Sequence, residues 1–282
     1  MPSISGQAIV IIGGSSGIGF AVARLALAEG ASVSIVSSNP TRVANAVKRL
    51  QAEFPQGKIA GYDCDLKKED VEARLEQVLT AARASNNGAP LDHIVFTAGD
   101  SLAMKPIQDI DVDFIRQAGQ VRFVAPLLVA KLAPRFLKPS YTSSLILTSG
   151  SVSQKPLPNW SVVASYASGL DGMTRNLALD LKPLRVNLVI PGAVDTELWG
   201  ENREKLVAEM AKTAFLGKVA TAEEVAEAYI YLMKDTNATG SAYSNSLELL
   251  LFTPNQSLLA VCQRMPMTKS PVEISLMENT RI

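Results

Sequence analysis

The sequence predicts a single doubly wound α/β domain, with about seven parallel strands and helices on both faces. Short apolar runs alternate with longer segments of helical period, and no tight hairpin joins consecutive runs. Apolar residues make up 47% of the 282 and charged residues 19%, enough for one large core. The first run, Ala8-Ile9-Val10-Ile11-Ile12, is apolar throughout, as a strand covered on both faces should be. Further strands are expected at 32–37, 58–62, 91–96, 144–148, 185–190 and 245–252. Helices are expected at 17–29, 41–53, 68–84, 111–136, 161–181, 199–213 and 221–234. The first two set polar Arg24, Glu29, Arg42, Lys48 and Arg49 against apolar Val22, Leu25, Ala26, Val43, Val47 and Leu50. Residues 1–253 form the domain, including a loop over about 191–220 on the binding side, and 254–282 read as an irregular C-terminal extension.

Composition excludes several classes of function. Lys+Arg and Asp+Glu balance at 27 each with no long run of like charge, so neither nucleic acid nor a polybasic membrane surface is an expected partner. The lone His93 and the cysteines Cys64 and Cys262 show no CxxC or HExxH spacing, so no metal site is expected. His93 sits in the apolar run Leu91–Phe96 and reads as a packed strand histidine rather than part of a Ser-His-Asp engine. Two distant cysteines, no basic leader with a small-residue cleavage site, and no apolar stretch of about 18 residues lead to the expectation of a cytoplasmic protein.

The strongest local signal is Gly13-Gly14-Ser15-Ser16-Gly17-Ile18-Gly19, between an apolar strand and an amphipathic helix. Glycines there let the backbone turn sharply and approach a pyrophosphate resting on the helix N-terminus. The spacing is GxxxGxG. With it come Asp63-Cys64-Asp65-Leu66, Phe96-Thr97-Ala98-Gly99, Leu145-Ile146-Leu147-Thr148-Ser149-Gly150-Ser151 and Pro191-Gly192-Ala193-Val194-Asp195-Thr196, in that order. On these five motifs the chain resembles the short-chain dehydrogenase/reductase family, nearly throughout to about residue 252, and a Rossmann-like fold is implied. The resemblance implies a nicotinamide dinucleotide held by the glycine motif (Gly13, Ser15, Ser16, Gly17, Ile18 and Gly19). It also implies that Asp65, with Leu66, meets adenine, that Thr97, Ala98 and Gly99 border the cofactor, and that Pro191, Gly192, Val194 and Thr196 hold the carboxamide.

The second strand ends in Ser37-Ser38-Asn39-Pro40-Thr41-Arg42, without the acid that binds a ribose 2′-OH and repels a 2′-phosphate. Hydroxyls, an amide and a guanidinium suit a phosphate, so NADP(H) is expected over NAD(H). The same residues suit a turn and an N-cap, and both uses stay open.

The family's engine is a Ser with Tyr-x-x-x-Lys, the Tyr acting as acid/base. Counting back from Gly169-Leu170-Asp171-Gly172 puts Val163 at the Tyr position and Ala167 at the Lys position. Tyr166 fits only after a three-residue slip, which turns a helix by about 300°. It serves either as a displaced acid or as a packing or dimer-interface residue. Remaining candidates are Ser151, Ser149, Lys155 in the loop before Trp160, and Arg122, which falls near the family's structural Asn. Leu102, Met104, Trp160, Leu198, Trp199, Met210 and Phe215 are expected to wall an apolar substrate pocket. Asp195 and Glu197 are nearby carboxylates that also suit a helix start.

The pattern is similar to a divergent branch found in fungal secondary metabolism, including enzymes that pair NADPH-dependent imine reduction with Diels–Alder cyclisation. Those rely on an Arg and an Asp. Arg122 matches the first, while Leu157 stands at the acidic position. The expected function is NADP(H)-dependent reduction of a C=O or C=N group in an apolar small molecule. A non-redox cyclase or isomerase, or a non-catalytic binding protein, is the alternative. The resemblance further implies a homodimer or homotetramer through the helices at 111–136 and 161–181, where Ala164, Ala167 and Ala178 permit close packing.

Overall fold

A computed structural model describes residues 1–245 of the chain. The strands are β1 (Ala8–Ile12), β2 (Ser32–Ser37), β3 (Ile59–Asp63), β4 (His93–Phe96), β5 (Ser144–Thr148), β6 (Arg185–Pro191), β7 (Val194–Asp195), β8 (Ala220–Thr221) and β9 (Ala242–Asn245). Seven form one parallel sheet in the order β3-β2-β1-β4-β5-β6-β9. The short pair β7–β8 lies apart from it and had no counterpart in the sequence reading. The strand expected at 245–252 begins instead at Ala242. Residues 246–252 and the extension 254–282 lie outside the described residues.

Both faces of the sheet are covered, and alternation along β1 divides its side chains between them. Ile9 and Ile11 pack with α1 (Gly17–Ala28), α2 (Pro40–Glu53) and α8 (Ala222–Lys234), among them Phe20, Leu50, Val225 and Tyr229. Val10 and Ile12 pack on the other side with α3 (Val71–Ser85), α5 (Ala125–Phe136) and α6 (Ser161–Asp180), through Leu75, Val129 and Leu170. Each fully buried Ile, Leu or Val of this kind contributes about 1.5–3 kcal/mol. His93 is fully buried in β4, in register with Ile9, with Nδ1 2.8 Å from Ser144 Oγ and Nε2 2.7 Å from Gln7 Oε1. Burial, aided by the Arg185 charge, pushes its pKa down to about 3, so it stays neutral.

The helix expected over 111–136 is three segments: α4 (Val112–Gly119), a π-helical turn at Gln120–Val124, then α5. Pro126 explains the break. It has no N–H for the Arg122 carbonyl four residues back, and its ring crowds that carbonyl, so the backbone widens ahead of it. The helix expected over 199–213 is likewise split, into a 3₁₀ turn at Glu197–Asn202 and α7 (Arg203–Thr213). No helix among the described residues is long and apolar enough to cross a membrane.

Strand order reverses between β1 and β4, opening a crevice at the carboxyl edge of the sheet. The segments after β1, β4, β5 and β6 all emerge at that edge. They are the four loops that carry the glycine motif, Thr97–Gly99, Ser149–Ser151 and Pro191–Thr196.

Candidate active site

The glycine turn is held from three sides. Gly13 N donates to Val36 O at 2.8 Å, Ser15 Oγ donates to Ser37 Oγ at 2.8 Å, and Thr97 N donates to Ile12 O at 2.8 Å. Gly13 has φ +99°, and a Cβ there would stand 2.5 Å from Ala98 N, so only glycine fits where the turn meets the β4 loop. Ser16 is the N-cap of α1 but makes no side-chain cap bond, and the first turn of α1 holds no acid. Apart from Gly17 N, which donates to Glu197 Oε2 at 3.0 Å, that leaves N–H groups and the helix dipole for an anion, so these residues fit a dinucleotide's pyrophosphate.

The ribose end combines both expected uses. Asn39 Oδ1 accepts from Arg42 N at 2.9 Å and caps α2, while Arg42 Nη2 donates to Ser38 Oγ at 3.2 Å. An exposed guanidinium and hydroxyl therefore stand together beside Ser37, with no carboxylate among the described residues bonded to them. Asp65 is half-buried past β3 and accepts from Lys67 N at 3.0 Å, beside buried Leu66. Val194 and Thr196 are buried, and Thr196 lies against the α1 N-terminus.

The structure sorts the catalytic candidates. Val163 and Ala167, which the count along the sequence expects at the family's Tyr and Lys positions, are buried apolar residues. Tyr166, expected either as a displaced acid or as a packing or dimer-interface residue, is engaged in packing in this structure. Its hydroxyl donates to Ile115 O at 3.0 Å, and its ring packs 5.4 Å from Phe123 and over Gly119. Ser149 Oγ is also committed, donating to Ala167 O at 2.8 Å. Ser151 opens a short 3₁₀ turn (Ser151–Ser153), is half-buried, and uses its carbonyl rather than its hydroxyl in that turn.

Three polar atoms of the following loop, Ser153 Oγ, Lys155 Nζ and Trp160 Nε1, are buried with no hydrogen-bond partner among the described residues. Buried donors are rarely left so unless something else binds them. The β4 and β5 loops are joined here, Lys105 N donating to Asn159 O at 3.2 Å.

Arg122 sits on the π turn, with its guanidinium against the backbone of Gly99. Its Nε donates to Asp100 Oδ1 at 3.2 Å, and Nη2 donates to the Asp100 carbonyl. Burial pulls the guanidinium's pKa down and the Asp100 charge partly restores it. An arginine remains charged under such conditions. Asp100 also meets Lys67 at 3.4 Å. The sequence reading missed Asp100 as Arg122's partner, although it directly follows Gly99; the π turn carried only the Pro126 signal.

The expected pocket wall is partly enclosed. Trp160 is buried, Leu102, Met104, Trp199 and Met210 are half-buried, and Trp199 Nε1 donates to Val194 O at 2.6 Å. Leu198 and Phe215 are 50% and 53% exposed, with no described element covering the 3₁₀ turn or the end of α7. A groove of about 720 Å³ runs along α2 and β3, lined by Val43, Val47 and Gly61. It is remote from Arg122 and the β5 loop and belongs to the sheet's edge.

Comparison with known proteins identifies the family of the fold. Residues 3–251 match the model of an SDR-like Rossmann domain. The chain is 46% identical over 244 residues to the short-chain dehydrogenase/reductase ATR9 of Stachybotrys chlorohalonatus, covering 86% of this chain and 96% of that one. It is 40% identical over 256 residues to the short-chain dehydrogenase/reductase malC of Malbranchea aurantiaca, covering 88% and 96%. A solved structure of the MalC reductase/Diels-Alderase from that organism superposes with a TM-score of 0.82 at 39% identity, over 88% of this chain and 97% of that chain. With its sheet order, its glycine turn and these matches, the chain belongs to the short-chain dehydrogenase/reductase family, whose fold implies a nicotinamide cofactor.

Proposed function

We propose that this protein is an NADP(H)-dependent oxidoreductase that reduces a C=O or C=N group of an apolar small molecule, in the biosynthesis of a secondary metabolite. The observation that carries the reading is the Arg122–Asp100 pair against Gly99, beside a complete glycine turn, in a molecule whose Tyr and Lys positions are apolar. The bound nicotinamide supplies the hydride. The chain's own residues must then bind the substrate, exclude water and stabilise the charge that develops on its oxygen or nitrogen. Arg122, fixed by Asp100 and largely desolvated, is suited to that stabilisation but not to giving up a proton. Ser151 and the buried, unpartnered Lys155 Nζ and Trp160 Nε1 are the donors available to hold the substrate's polar atom. Arg42 with Ser38 supports a 2′-phosphate and hence NADP(H).

A second reading, cyclisation on the same scaffold, is favoured by the likeness to a structure named as a reductase/Diels-Alderase. Mass spectrometry with NADPH consumption followed in parallel separates the two. Reduction gives a product two hydrogens heavier in step with NADPH loss, whereas cyclisation alone gives unchanged mass and no loss. Finding neither with ketone, imine and diene substrates would remove both readings.

Exposed Ile115, Val124 and Leu127 on the α4–α5 face support a homodimer or homotetramer. A monomer by light scattering would remove that assignment.

A further inference from the structure

The amino end of α1 already holds a carboxylate. Glu197, the first residue of the 3₁₀ turn after β7, accepts from Gly17 N at 3.0 Å through Oε2. This donor belongs to the anion seat that the α1 N-terminus offers a pyrophosphate, and Ser16, the cap residue, leaves it free. The contact is close on every side. Gly17 has φ +50°, and a Cβ built there would lie 3.2 Å from Thr196 Cγ2 and 3.6 Å from Glu197 Oε2.

We propose that Glu197 is a determinant of dinucleotide affinity and release: its carboxylate occupies the α1 N-terminus in the free protein and must leave when the pyrophosphate arrives. The inference rests on the dinucleotide reading above and adds a competitor within the chain. Two anions do not share one N–H and one helix dipole, so each molecule of cofactor bound displaces this contact. The displaced side chain has somewhere to go. A cleft of about 440 Å³ beside it is lined by Arg24, Arg49 and Arg203 together with Glu53, Asp195 and Glu223. Arg203 pairs with Asp195 at 2.5 Å and already feels the Glu197 charge. Arg24 is held by Glu53 and Glu223. Arg49 lies over the Phe20 ring. Because Glu197 continues from Thr196, in the loop that also carries Leu198 and Trp199, its movement ties cofactor entry to the loop on the substrate side.

The test is calorimetric titration of NADPH into the wild type, Glu197→Gln and Glu197→Ala. Both variants should bind about three- to tenfold more tightly, alanine at least as tightly as glutamine, with faster association. A contact that merely braces the loop predicts the opposite sign, since its loss would weaken binding. Unchanged or weaker binding in both variants, with the wild type binding normally, overturns the proposal and leaves the dinucleotide reading standing. No binding by any of the three overturns both. Thermal melting of each free variant confirms that it is folded.

Discussion

The β1–α1–β2 half and the β5–α6 half meet at the same sheet edge, yet they are specified differently. In the first, function needs backbone: a turn at Gly13 that tolerates no side chain, N–H groups at the start of α1, and register between Ile12 and Val36. In the second, function needs particular side chains, and on the proposed reading these have been exchanged. Val163 and Ala167 are packed, Ser149 is spent on Ala167 O, and the charged group near the cofactor loop comes from a third element, the π turn carrying Arg122. A backbone cradle persists as a unit because any one altered residue clashes. A side-chain engine can move to a neighbouring element while the fold stays intact.

Breaking the first half should have the largest effect. Gly13→Ala combines a positive φ with a 2.5 Å approach to Ala98 N, and should lower stability by about 3 kcal/mol and abolish NADPH binding. Urea denaturation and titration read both. Arg122→Met should leave the first half intact and disable the second, with kcat falling about 100-fold while the NADPH dissociation constant stays within about threefold. Equal losses in both would place Arg122 in cofactor binding instead.

The sheet between the halves offers a control that touches neither. His93 is held neutral with its pKa near 3, whereas the unfolded chain takes up a proton below about pH 6.5. Its contribution is therefore complete above pH 6.5 and declines as pH falls toward 3, by about 1.4 kcal/mol per unit. Urea midpoints between pH 7 and 5 should show about 2 kcal/mol more loss for the wild type than for His93→Gln. Parallel curves would contradict that origin.

The smallest effect belongs to Tyr166→Phe, which removes only the bond to Ile115 O. About 1 kcal/mol of stability should go, with turnover nearly unchanged. A large fall in turnover would restore Tyr166 as the acid.

What the sequence made legible follows the same division. The glycine turn, the alternation of β1 and the apolar strands were readable because backbone geometry and two-sided burial restrict residue type locally. The last strand was misplaced at its start, since Ala242-Tyr243-Ser244-Asn245 is less apolar than the run beyond it. Asp100 beneath Arg122 and the seat of Glu197 on Gly17 were not readable: both join residues far apart in the chain, 22 and 180 positions respectively. Ser151 is already the first choice over Ser149 from its place in the sequence, and the bond of Ser149 to the Ala167 carbonyl was not readable there.

The central claim is that a working NADP(H) cradle survives without the Tyr/Lys pair. Titrating the wild-type protein with NADPH and with NADH, and following energy transfer from Trp160 and Trp199 to the nicotinamide, tests it most directly. The account predicts saturable quenching by NADPH and at least about tenfold weaker binding of NADH. Failure of both dinucleotides to bind would contradict it.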